Sequence, residues 1–526
     1  MRARVVISLL MFCVFCGLDM QGQDLWDDDV TLPDFAPPAR IYGDASVVPN
    51  GTLYLPAPVD TTKLEFAGDF ARWQWGKRIR QTKYGTRTAR GNQAYYESQY
   101  GLNRWCVILP KAIGVSITGT NTPRNVSFIY QVGETGSRST EKAKLKYNRR
   151  RPFDQMNETT WGYYDDAASL LRSGSFPSSH AAFGWAVALA YAEMVPERQD
   201  TIMRHGYMYG ESREIVGAHW HSDVLTAFLT ASAAWAYMHT RDDFHQGLES
   251  AREEYYQIKG GEPDTSVGWP RGRKIQDAPV DSTSLLYYDD VMGYWQAKAL
   301  RDTERGLQAI DDADDSETYF LRMFSDAIKD TLTQGKYPMF TELFSVTYDA
   351  LKESALELRS TAFRKRPFVQ FDEPTLVPGE EARYADQSSY PSVKAQLGWG
   401  LSLLMVEMFP KYMNAVLKSG YDYGYSRVVA GYNYPSDVMA GRIHASCVMA
   451  RLHANPEYNE LIELAREECA FRPHLVTSLE DISNTPGKSD GYWYTTTGLM
   501  LKQRPTEPGI YIHAGKKIVV GGVRSD

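Results

Sequence analysis

Ser212-Arg213, His219 and Asp223 form one short block: a guanidinium, an imidazole six residues later and a carboxylate four beyond that. Such a set can do phosphoryl chemistry. The imidazole can attack phosphorus through one ring nitrogen. A carboxylate one helical turn away can bond the other nitrogen, fixing the tautomer and stabilising positive charge. Two earlier blocks supply what that chemistry needs. One is Lys144, six residues, then Arg151-Pro152; the other is Pro177-Ser178-Ser179-His180. Lys144, Arg151 and Arg213 are three permanent cations, matched to the three equatorial oxygens of a phosphate or a transferring phosphoryl group. Ser178 and Ser179, with free backbone N–H groups at a helix start, add donors at a positive dipole end. His180 can protonate a leaving alkoxide. The scheme needs neither metal nor cofactor.

A near-copy of the third block lies 214 residues downstream, as Ser426-Arg427, Asn433 and Asp437. The other two blocks also return, as Arg359, six residues, Arg366-Pro367, and as Pro391-Ser392-Val393-Lys394. The imidazoles do not return. Asn433 replaces His219 and Lys394 replaces His180, and an amide cannot serve as the phosphoryl nucleophile. Arg359, Arg366, Arg427 and Lys394 keep the positive charge. A second, catalytically dead domain that still binds an oxyanion is therefore expected. The copy also argues against His219, His221 and Asp223 as alternate metal ligands, since Asn433 and Pro435 stand at the first two of those positions.

Helices must position these groups. Ser178 to Val195 follows a proline, with serine as cap, and is apolar on all faces, which predicts a central buried helix. Leu225–Met238 is similar, and both are too short to span a membrane. Further helical signals begin near Phe66–Arg80. Strand-like alternation is scarce before Gly509 to Val520, which reads as a β-hairpin. The expected fold class is all-α: two tandem helical bundles plus a short C-terminal hairpin tail.

The halves align beyond the three blocks. Gly184-Trp185 matches Gly398-Trp399, Glu193-Met194 matches Glu407-Met408, and His239 matches His453. This period is too long for a solenoid and reads as domain duplication. The expected layout is a signal peptide over 1–22, a proline-rich arm over 23–62 without a helix, a catalytic domain over 63–260, a Gly/Pro linker over 261–282, a degenerate copy over 283–470 and a tail over 471–526. The two copies are expected to form an intramolecular pseudo-dimer.

Bulk composition bounds the function. The chain has 526 residues, 43% hydrophobic and 23% charged, with a net charge of −8. These values suit a soluble multidomain protein and give no global basic field for nucleic acid. Arg2 and Arg4 precede the apolar run Val5 to Phe15, with Gly22 a cleavage position, so export to the periplasm or beyond is expected. A lipid anchor at Cys16 is the less favoured alternative, because Phe15 is bulky where a small residue belongs. Cleavage leaves Cys106, Cys447 and Cys469, an odd number that leaves at least one free thiol; a Cys447–Cys469 bridge and buried thiols are both open.

The three blocks resemble the signature of the type 2 phosphatidic acid phosphatase superfamily, and more closely its class A bacterial acid phosphatase branch. That signature runs Lys-x6-Arg-Pro, Pro-Ser-Gly-His, Ser-Arg-x5-His-x3-Asp. The resemblance covers roughly residues 65–258 and, with losses, 284–470. It implies a helical bundle and a phosphohistidine intermediate, with His219 as nucleophile, His180 as general acid, Asp223 as orienter, and Lys144, Arg151, Ser178, Ser179 and Arg213 around the phosphate. The substrate implied is a small phosphomonoester, lipid and sugar phosphates included. Ser179 stands where the family has Gly, which changes the pocket and leaves the substrate open. Two other functions fit the same residues: a vanadium haloperoxidase, since vanadate mimics the phosphoryl transition state, and a non-catalytic phosphate-binding or interaction protein.

Overall fold

The computed structural model describes residues 37–38, 40–359 and 363–471, and, in a separate C-terminal unit, 493–495, 500–501, 503–506, 509–513 and 516–520. The expected signal peptide and Cys16 lie outside the described residues, as does most of the arm before Arg40. The first compact unit, ending at Cys469, contains both expected domains.

Helices build this unit. Those of its first half that frame the site are α1 (Ala67–Arg80), α2 (Pro123–Arg138), α3 (Glu141–Tyr147), α4 (Ser179–Met194), α5 (Gln199–Ile215), α6 (His221–Met238) and α7 (Asp242–Lys259). The second half contributes α8 (Tyr287–Lys298), α9 (Pro338–Arg359), α10 (Val393–Met408), α11 (Met413–Val429), α12 (Pro435–His453) and α13 (Pro456–Phe471). The element order repeats. Helices α4 to α7 correspond to α10 to α13, while α9 runs unbroken where the first half divides into α2 and α3. The division falls at Ser139-Thr140, whose hydroxyls bond back to the Gly136 and Ser137 carbonyls.

Helix α4 is the centre of the first half. Every residue from His180 to Met194 is buried, as an all-apolar helix requires. Ser178 caps it by accepting from the Ala181 N–H at 3.2 Å. Ser392 caps α10 in the same way, from Ala395 at 3.3 Å. Phe176–Pro177 and Tyr390–Pro391 are both cis. Trp105, Trp185, Trp235 and Trp399 are fully buried, each worth roughly 2–3 kcal/mol of apolar burial.

The halves pack through α4, α6, α10 and α12. At their seam the His239 and His453 rings lie 4.1 Å apart. Each is paired with a glutamate of its own half, His239 with Glu193 at 3.1 Å and His453 with Glu407 at 3.0 Å. The 261–282 segment is more than a tether. Gln276 donates to the Ala440 carbonyl, Tyr390 to the Asp277 carbonyl, and His444 Nε2 contacts the Pro270 carbonyl. The arm likewise departs from the helix-free expectation: Asn50 caps a single helical turn, Gly51–Tyr54, and its backbone N–H reaches Asn414 at 2.8 Å. A proline-rich composition concealed that turn. Cys106 and Cys447 are buried thiols, and the bridge to Cys469 is not formed. No helix among the described residues is long and apolar enough to cross a membrane.

In the C-terminal unit, Gly509–His513 and Lys516–Val520 pair antiparallel, Gly509 opposite Val520 and His513 opposite Lys516. Trp493–Thr495 pairs with the first of these and with Met500–Leu501.

Candidate active site

The three blocks converge at the N-terminal end of α4. Residue Ser178 is tied into place by its N–H, which donates to the Asp223 carbonyl at 3.0 Å. Gly217, with φ of 78°, turns the chain after α5 so that His219 comes back over that helix end; a side chain there would strain the turn. His219 N–H then bonds the Arg213 carbonyl at 3.2 Å.

His219 is 4% exposed. Its Nε2 lies 2.8 Å from Arg151 Nη1. Its Nδ1 lies 3.5 Å from Asp223 Oδ2, longer than a hydrogen bond, and is buried without a hydrogen-bond partner among the described residues. Burial, then Arg151, Lys144 and Arg213, push its pKa well below the ordinary histidine value. Asp223 serves the scaffold as much as the ring. One oxygen accepts from the Trp220 N–H at 2.8 Å, capping α6, and the other takes Arg149 Nη1 at 2.7 Å.

The cations are held by carbonyls and one carboxylate. Arg151 donates to the Leu170 and Ala218 carbonyls at 2.8 and 3.1 Å. Arg213 Nη2 pairs with Asp165 at 2.8 Å, while its Nε and Nη1 are buried without a hydrogen-bond partner among the described residues. Those two donors are what an incoming oxyanion would satisfy. Lys144 Nζ donates to the Gly174 carbonyl at 2.7 Å. It is not a permanent cation: burial, Arg151 and Arg213 lower its pKa to about 7. Three neighbouring positive charges repel one another, and the lysine is the one that can yield its proton.

His180 is 5% exposed, stacked on Tyr209 at 4.1 Å, with Nε2 buried and unbonded among the described residues. Burial, Arg213 and His219 hold its pKa well below the ordinary value. Ser179 Oγ is 2.7 Å from Thr140 Oγ1, which fixes the serine against the α2–α3 break. Ser212 turns away, donating to Glu97 at 2.5 Å. Trp220 is buried against Phe66 at 4.7 Å and donates to the Arg150 carbonyl, so it belongs to the core. His221 Nδ1 pairs with Glu214 at 2.9 Å, apart from the His219 ring.

Three supporting residues escaped the sequence reading. Arg149, lost in a basic run, bridges Asp69 and Asp223, both at 2.7 Å. Asp165 holds Arg213. The signal that could have found them is internal: Arg364 bridges Asp290 and Asp437, and Glu380 faces Arg427 at 3.6 Å.

In the second half Arg359, Arg366, Lys394, Arg427, Ser392 and Asn433 line one cavity of ≈ 230 Å³. Asn433 Nδ2 donates to the Ser389 carbonyl at 2.6 Å. Asp437 caps α12 by accepting from Tyr434 N–H at 2.8 Å.

Residues 127–245 match the PAP2 superfamily. The chain is 34% identical over 234 residues to a non-specific acid phosphatase of Providencia stuartii, spanning 44% of this chain and 90% of that protein. A non-specific acid phosphatase of Salmonella typhimurium is 30% identical over 206 residues, 39% of this chain and 80% of that protein. An acid phosphatase of Zymomonas mobilis is 34% identical over 143 residues, 27% of this chain and 54% of that protein.

Proposed function

The chain belongs to the PAP2 superfamily with non-specific acid phosphatases as relatives, and from that premise we propose that its first half hydrolyses phosphomonoesters through a phosphohistidine on His219. The observation that carries this is the buried His219 Nε2, whose lone pair accepts from Arg151 within a ring of cations.

The geometry supports the following course of reaction. A phosphomonoester dianion enters between Arg151, Arg213 and Lys144, and takes the open donors of Arg213. Its charge draws the Arg151 guanidinium onto an equatorial oxygen, which frees the Nε2 lone pair to attack phosphorus. The N–P bond forms as the ester P–O bond breaks. His180 gives its proton to the departing alkoxide. The neutral His180 then accepts a proton from water, which attacks phosphorus and releases phosphate and His219. Since burial and the Arg213 charge oppose charge on His180, its acid form requires acidic solution or the bound dianion. An acidic optimum follows. The scheme assigns no step to a metal.

Asn433 and Lys394 support a silent second half. The matched Glu–His pairs at the seam support an intramolecular pseudo-dimer. Arg2, Arg4 and the run after them support export.

Turnover of p-nitrophenyl phosphate in EDTA, with acid quenching to trap a phosphoprotein, is the test. We expect turnover and a phosphohistidine at His219; undiminished activity in His219→Ala would sink the assignment.

A further inference from the structure

The second-half cavity does not share the first site's chemistry, yet it is one of two differently furnished cation clusters in one compact unit. Its guanidiniums are fixed. Arg366 spends its donors on the carbonyls of Tyr384, Gln387, Tyr432 and Ser388, at 2.9–3.1 Å. Arg359 donates to the Ser388 carbonyl at 2.8 Å. Arg427, 2% exposed, has Nη1 buried without a hydrogen bond, 3.6 Å from the Glu380 carboxylate. Lys394, bonded to the Ala313 carbonyl, is also 3.6 Å from Glu380. The N-terminal end of α10, at Ser392 to Lys394, forms one wall and points its positive dipole end at the space.

Acceptors stand among these donors. Asn433 donates one amide N–H to the Ser389 carbonyl at 2.6 Å, and its Oδ1 faces the Ser392 hydroxyl, 3.4 Å away. The Asp315 carboxylate lines the cavity, and Glu380 stands 3.6 Å from both Arg427 and Lys394. A fully deprotonated oxyanion such as sulfate would set its lone pairs against these acceptors. Hydrogen phosphate carries a P–OH that one of them can accept.

We propose that the cavity lined by Arg359, Arg366, Lys394, Arg427 and Asn433 is a non-hydrolysing binding site for inorganic phosphate in its protonated, hydrogen-phosphate form. It rests on the reading of the second half as silent, since an amide forms no phosphoramidate intermediate. The free cavity is electrostatically crowded. Burial, Arg359 and Arg427 push Arg366 down to about 9, and burial with Arg427 pushes Lys394 down to about 8. A bound anion relieves that repulsion, which is the driving force for occupancy.

Equilibrium dialysis of the full chain with labelled inorganic phosphate at neutral pH tests this. Wild type should hold two phosphates per chain. Arg427→Ala should hold one, and Lys394→Gln, a milder change, should weaken one of the two at least ten-fold, with circular dichroism confirming both fold. Arg213→Ala, which cripples the first site, should retain one phosphate, against which sulfate competes at least ten-fold less well. One phosphate per wild-type chain, insensitive to Arg427→Ala and Lys394→Gln, overturns the proposal. Equal competition by sulfate overturns the hydrogen-phosphate assignment. Absence of phosphatase turnover would refute the first-half reading while leaving these stoichiometries unchanged.

Discussion

Arg151 Nη1 and His219 Nε2 are 2.8 Å apart. Arginine has no acceptor, so Nε2 is the unprotonated nitrogen and Nδ1 carries the proton. The tautomer needed for attack through Nε2 is thus set before any substrate arrives. Asp223 lies on the Nδ1 side, 3.5 Å away, where positive charge develops as the N–P bond forms. The same cations that hold phosphate keep the imidazole neutral in acidic solution, which preserves the nucleophile where His180 is best able to act as an acid.

His219→Asn is the substitution the molecule itself recommends. Asn433 occupies the matching place in the second half and bonds the Ser389 carbonyl, as an asparagine at 219 would bond Ser175. The variant should therefore fold with an unchanged melting temperature. Its kcat on p-nitrophenyl phosphate should fall about 10⁴-fold or more, the scale on which nucleophile removal acts. Retained turnover with a normal melting curve would move the nucleophile elsewhere.

Lys144 should give the first site its neutral-pH limb. Its pKa is lowered to about 7, first by burial and then by Arg151 and Arg213. Below that value it is an ammonium and binds anions; above it, the free site loses one charge. Competitive inhibition by phosphate should weaken up to about ten-fold per pH unit above 7 beyond the ligand's own titration. In Lys144→Arg this extra limb should vanish, because arginine stays charged across the range. Identical pH profiles for the two proteins would remove Lys144 from the binding step.

The helical class and the converging blocks were legible because both depend on local pattern. A proline followed by a serine cap and an all-apolar run can only be a buried helix, and α4 is one. The roles of individual polar atoms were not legible, because they depend on which neighbour is nearest in space. Asp223 is set at an i,i+4 spacing that suggests one partner, yet its closest partners are the Trp220 N–H and Arg149. Lys144 has the spacing of a permanent cation, and only the proximity of Arg151 and Arg213 makes it titrate near neutrality. Single-turn Gly51–Tyr54 depends on Asn50 as cap and contact to Asn414, neither visible in a Pro-rich composition.

Arg149 should matter to stability before it matters to catalysis. Its side chain is 5% exposed and joins Asp69 to Asp223. Its removal leaves two buried carboxylates without their partner, a loss of about 3–5 kcal/mol. In a unit of this size that corresponds to a fall of roughly 3–6 °C in Tm. Scanning calorimetry of Arg149→Ala should show it, with Arg149→Lys between the variant and wild type. An unchanged Tm would mean that Asp69 and Asp223 find other partners, and the bridge would then not be what ties α1 to the start of α6.

His180 is best tested by the leaving group. Its Nε2 is buried, unbonded among the described residues and backed by the Tyr209 ring, a position suited to proton delivery. A p-nitrophenolate departs without help from an acid, whereas an alkoxide such as that of a glycerol or sugar phosphate does not. In His180→Ala the water step should slow for every substrate, but p-nitrophenyl phosphate should still release a rapid burst of p-nitrophenolate, whereas the first step with alkyl phosphates should slow about 10²–10⁴-fold, the range of general acid catalysis. The fall of the alkyl-phosphate rate with rising pH should flatten in the same variant, because the group whose protonation it reports is gone. Equal losses in that first step on both substrates would instead assign His180 a packing role against Tyr209 and Tyr100, and the proton for the alkoxide would have to come from Lys144, the other group of the pocket that can release one near neutral pH.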